Sequence, residues 1–131
     1  MLQWLSFSFF LITLNSNIAK HLVYSNYSDV LTNVNEKVTI SQFHAAKYGN
    51  VVTIYVEATL SSDVASGTVL WTMKEGFRPE YSYAFWSVMR GSGAYDVMTQ
   101  GWATNAGTTT VYAALPAGRT YFTISYITPA A

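Results

Sequence analysis

Val51-Val52-Thr53-Ile54-Tyr55-Val56-Glu57-Ala58-Thr59-Leu60 alternates without a fault: Val52, Ile54, Val56, Ala58 and Leu60 share one face, and Thr53, Tyr55, Glu57 and Thr59 the other. A period of two sustained over this length belongs to a β-strand with one side in a core and one in solvent. The strand is preceded by a Tyr48-Gly49-Asn50 turn. Before that turn, Val38, Ile40 and Gln42 alternate with Thr39, Ser41 and Phe43, which predicts a second strand.

The same rhythm continues downstream. Ser61 to Gly67 reads as a loop, and Thr68 to Met73 as a short strand ended by Lys74-Glu75-Gly76. Asp96 to Thr99 and Trp102 to Asn105 read as a hairpin about Gln100-Gly101. A threonine-rich strand runs from Gly107 to Ala114 and breaks at Leu115-Pro116-Ala117-Gly118. The last strand sets Phe122, Ile124 and Tyr126 against Tyr121, Thr123 and Ser125. Only Ile18 to Leu31 and the surroundings of Val64-Ala65 leave room for a helical turn. Seven or more short strands between Gly, Ser and Asn turns predict an all-β fold, an antiparallel β-sandwich or jelly roll. Residues 37–131 form its single head domain, and residues 1–36 an apolar N-terminal segment and connector.

Residues 81 to 90, Tyr-Ser-Tyr-Ala-Phe-Trp-Ser-Val-Met-Arg, break the pattern by being apolar or aromatic on both sides. One side is expected to meet the core and the other a partner subunit or a ligand.

Composition points the same way. Of the 131 residues only 11% are charged and 16% are aromatic, with seven Lys and Arg balanced by seven Asp and Glu. Roughly 25% charged is ordinary. No charge precedes Lys20, and Arg119 is the only one after Asp96. A surface so poor in charge suits burial against like subunits or contact with a neutral polyhydroxyl ligand, so an oligomer is expected. A net charge of zero argues against a nucleic-acid partner. The absence of cysteine removes thiolate nucleophiles, disulfides and zinc fingers from consideration.

Residues 1–14 are apolar but shorter than the roughly 20 residues a membrane helix needs, so no membrane span is expected. Three readings of this stretch stand side by side: a secretory signal cut near Ala19, a strand or shaft-like tail packed on neighbouring subunits, and a start codon inside a longer frame. Asn26-Tyr27-Ser28 also fits a glycosylation triplet.

At Trp71-Thr72-Met73-Lys74-Glu75-Gly76-Phe77-Arg78-Pro79 the chain resembles the receptor-binding head domains of bacteriophage tail fibres and baseplates, which carry a strand, then Leu-Pro-x-Gly-Tyr-Arg-Pro, then an aromatic strand. Gly76, Arg78 and Pro79 match, while Met73, Lys74 and Phe77 replace Leu, Pro and Tyr. Lys47 to Val52 is similar to the family's Gly-Asn-x-Val opening, Asp96 to Trp102 to its late hairpin, and Tyr126-Ile127-Thr128 to its closing strand. The likeness covers residues 37–128. It implies a homotrimeric jelly-roll head at the tip of a virion fibre, adhering to host cell-surface saccharide.

Catalytic motifs such as Gly-x-Ser-x-Gly or His-Glu-x-x-His do not occur. His21 and His44 are isolated, and Glu57, Asp63, Glu75, Glu80 and Asp96 follow no spacing that demands acid–base work. No enzyme, cofactor or metal is therefore expected. A saccharide site needs only an aromatic face for the ring and a few polar groups for its hydroxyls. The candidates are Trp102 and Trp86, with Asp96, Arg90, Asn105 and Tyr112 as company. Trp102, beside Gly101, has the stronger claim, because Trp86 and Trp71 lie within strands, where burial is tryptophan's ordinary role. Arg78, next to Pro79, is expected to tie its turn together. Two other functions fit the same composition: a structural fibre-tip module without a ligand, and a secreted carbohydrate-binding domain.

Overall fold

A computed structural model describes residues 21–91 and 95–129, of which 95–98 by backbone alone. The strands are β1 (His21–Tyr24), β2 (Leu31–Thr32), β3 (Val38–Tyr48), β4 (Val51–Leu60), β5 (Val69–Met73), β6 (Tyr83–Gly91), β7 (Tyr95–Thr104), β8 (Thr108–Val111) and β9 (Gly118–Ile127). All pair antiparallel in one sheet of order β1-β3-β4-β9-β6-β7-β8-β5-β2, curled into a half-barrel. Among the described residues there is no α-helix; a single 3-10 turn spans Tyr27–Asp29.

The alternation of β4 is realised in full, with Val52, Ile54, Val56, Ala58 and Leu60 all buried. On β9, Phe122, Ile124 and Tyr126 are buried in the same way. The β3–β4 hairpin closes on Gly49 and Asn50 between the paired residues Tyr48 and Val51. Gly49 takes φ 60°, which suits the first central position of a type II′ turn.

Three rings show how the sheet curls. Trp71 on β5 lies four strands from Phe122 on β9, about 19 Å away in a flat sheet. Their ring centroids are 5.0 Å apart. Trp86 on β6 completes the cluster edge-on, 5.5 Å from Trp71 and 6.3 Å from Phe122. Burying these three rings therefore requires the β8–β5 end to fold over β6 and β9, and aromatic edge-to-face packing rewards it beyond the buried area alone. The seam is tied by polar contacts. Lys47 on β3 donates to the Gly76 carbonyl at 2.7 Å and lies over the Phe77 ring, which also meets Tyr24 edge-on. The Tyr126 hydroxyl donates to the Phe77 carbonyl.

Three expectations are corrected. Residues 21–36 are not a connector outside the head: β1 and β2 form the two edges of the sheet, and Val30 and Leu31 are buried in its core. On β3, Phe43 shares the inward face with Val38 and Ala45. The register skips between Ile40 and Gln42, so Ser41 is an extra residue whose hydroxyl donates to the Glu57 carbonyl. Such a bulge reverses the phase of everything after it. Finally, Gln100-Gly101 is no turn, because β7 runs unbroken from Tyr95 to Thr104. Gly101 pairs with Trp86, and a Cβ there would stand 2.8 Å from the Thr110 carbonyl oxygen. A glycine is required by close approach and not by a reversal.

Candidate functional site

Strand β6 divides its aromatic content between two environments. Ala84, Trp86 and Val88 face the core, while Tyr83 and Phe85 are exposed on the outer face. Trp102 on β7 is paired with Phe85 and is half-buried on that same outer face. Beyond it, just past β8, the Tyr112 side chain is 70% exposed and meets the Trp102 ring edge-on at 5.9 Å. Tyr112 is held by its backbone: its N–H donates to the Gln100 carbonyl at 2.9 Å, and its carbonyl accepts from the Ser66 hydroxyl at 2.6 Å. Fixing the main chain spares the backbone's ordering cost on binding and leaves only the two side-chain torsions of Tyr112 to be set.

The platform borders a shallow groove of about 890 Å³ on the outer face. Gln100 on β7 pairs with Ser87 on β6, Ser87 with Thr123 on β9, and Thr123 with Tyr55 on β4. These side chains and Tyr112 line the groove, with Met89, Thr99 and Tyr121 beside them. No Asp, Glu, Lys, Arg or His is among the lining residues. Glu57, next to Tyr121 across β4 and β9, is engaged by Arg119 at 3.4 Å. Tyr55 is backed by the His44 ring, stacked at 6.2 Å.

The six sequence candidates separate. Trp102 and Tyr112 form the platform, and Asn105 is exposed in the turn three residues past Trp102. Trp86 is withdrawn: it is fully buried, and its Nε1 donates to the Thr109 hydroxyl at 3.2 Å, so no face is open to a sugar. Arg90 lies on the other side of the sheet. It keeps the inward phase of Trp86 and Val88, pairs with buried Thr120 and reaches to within 3.5 Å of the position of a Gly118 Cβ. Asp96 is six residues before Trp102 on β7, about 20 Å along the strand, and its side chain is outside the described residues. The groove floor of Ser87, Gln100, Thr123 and Tyr55 was not legible in the sequence, because only the sheet order brings these four into one row.

Other expectations are placed as follows. Arg78 does tie its turn, through Nε donating to the Met73 carbonyl at 3.2 Å. The Asn26 side chain caps the 3-10 turn, accepting from the Ser28 N–H and hydroxyl. The three readings of residues 1–19 fall outside the described residues. Among the described residues, no three His, Asp or Glu side chains group as metal ligands do, and no helix is long and apolar enough to cross a membrane.

Comparison with protein-family models finds none that matches this chain, and no curated protein matches it either.

Proposed function

We propose that the chain is a non-enzymatic adhesin head that holds neutral host cell-surface saccharide on the outer face of β6, β7 and β8. The observation that carries this reading is the Trp102–Tyr112 pair: a backbone-anchored, solvent-facing aromatic corner opening onto an uncharged groove. Aromatic faces cover the C–H face of a sugar ring, and uncharged hydroxyl and amide groups satisfy its hydroxyls without desolvating a charge. The resemblance to bacteriophage tail-fibre and baseplate heads supplies the setting: a homotrimer of jelly-roll heads at the virion tip, each site weak and the array gaining avidity from repetition. Glycan-array binding by wild type and Trp102→Ala tests the reading. Binding of a neutral glycan that is lost in the variant supports it, and a wild type that binds no glycan overturns it.

A second reading is favoured by a separate observation. Tyr81, Tyr83 and Phe85 are 57%, 59% and 62% exposed, a strip that a neighbouring subunit would cover in a structural fibre-tip module. Light scattering after size exclusion reads this directly: a trimer supports assembly through the strip, and a stable monomer removes it.

A further inference from the structure

We infer that the ligand is an extended, neutral oligosaccharide lying across the strands from Tyr112 to Tyr55, and not a single terminal sugar. This rests on the saccharide reading above and adds the shape of the ligand. The groove's floor is a row in strict cross-strand register, Gln100 to Ser87 to Thr123 to Tyr55. With Tyr112 anchored to Gln100 at one end, the row spans four strand spacings, about 19 Å. That length and the volume of about 890 Å³ far exceed one sugar ring.

The chemistry repeats along the row. An aromatic stands at each end, Tyr112 supported by Trp102 and Tyr55 supported by His44. Between them lie an amide and two hydroxyls, groups that both donate and accept and so match sugar hydroxyls of either polarity. The uncharged lining fits a neutral chain: no Asp, Glu, Lys, Arg or His lines the groove.

The experiment is a calorimetric length series on the full chain. Neutral linear oligosaccharides from single ring to hexasaccharide, in glucose, N-acetylglucosamine, mannose, galactose and rhamnose series, are titrated into wild type, Trp102→Ala, Tyr55→Ala and Thr123→Val. At least one series is expected to tighten about tenfold or more between disaccharide and tetrasaccharide, the gain expected from one added aromatic contact. Tyr55→Ala should erase most of that gain and Thr123→Val part of it, in variants shown to be folded by circular dichroism and melting temperature. Trp102→Ala should weaken every length. If length makes no difference and Tyr55→Ala matches wild type throughout, the ligand ends at the Trp102–Tyr112 corner: the inference is overturned and the saccharide reading stands. If wild type binds no member of any series, both fall.

Discussion

Trp86 and Gly101 face each other across β6 and β7, so that one of the bulkiest side chains of the core is paired with a residue that has none. The opposed strand β8 comes in behind: a Cβ on Gly101 would stand 2.8 Å from the Thr110 carbonyl oxygen and 3.6 Å from the Trp86 Cβ. Gly101→Ala, which strand propensity alone would favour, should instead destabilise the fold by about 1–3 kcal/mol, because backbone and not a flexible side-chain end must yield. Urea unfolding checks it: a lower midpoint at unchanged slope is expected. A variant as stable as wild type would show that the β7–β8 approach is slack.

The two core tryptophans are unequal. Trp86 donates to the Thr109 hydroxyl, whereas the buried Trp71 Nε1 has no partner among the described residues. Trp86→Phe therefore strands a buried hydroxyl, while Trp71→Phe removes an unsatisfied donor. Trp86→Phe is expected to cost about 1 kcal/mol more than Trp71→Phe. Paired denaturation curves measure the difference, and an equal or reversed cost contradicts the assignment.

Tyr126 predicts an alkaline weakness. Burial pushes its hydroxyl well above the ordinary tyrosine value of about 10. In the unfolded chain the phenol ionises near pH 10, while in the folded chain it keeps its proton. Above that pH the folded state holds more protons, so the stability Tyr126 contributes is complete below pH about 10 and is lost as pH rises further. Tyr126→Phe gives up the bond to the Phe77 carbonyl and should be about 1–2 kcal/mol less stable than wild type near neutrality. That gap should shrink between pH 9 and 11.5, the other tyrosines cancelling in the comparison. A constant gap across this range would contradict the account.

What the sequence revealed follows the range of the forces involved. The phases of β4 and β9 were legible because side-chain alternation is local, and so was the two-sidedness of β6. Which of its sides faces in is not, since Phe85 and Met89 are as apolar as Trp86 and Val88; hence the sequence alone offers Trp86 as a binding candidate. The bulge at Ser41 left no mark that a polar residue in an ordinary strand would not leave, and it turned Phe43 inward. Gly101 looks like punctuation in the sequence, whereas its cause is the Thr110 carbonyl, nine residues away on the next strand. Trp102 and Tyr112 stand out by residue type. Their contact and the Gln100–Ser87–Thr123–Tyr55 row depend on strand order, which short-range patterning does not encode.

The seam between Lys47 and the β5–β6 loop offers a test of the half-barrel itself. Lys47→Ala removes the bond to the Gly76 carbonyl and the cation over Phe77, and should cost about 1–2 kcal/mol. Hydrogen exchange should then quicken first at Glu80, whose amide bonds to Ile127 across the same seam. Uniform loss of protection would place the closure elsewhere.

The central claim is that the outer corner made by Trp102 and Tyr112 holds neutral saccharide. The most direct measurement is the dissociation constant of a neutral array-selected glycan for wild type, Trp102→Ala and Tyr112→Ala, each matched to wild type by circular dichroism and melting temperature. Each truncation is predicted to weaken binding about tenfold or more without loss of fold. Wild-type affinity in both folded variants, or a wild type that takes up no neutral glycan, would contradict the claim.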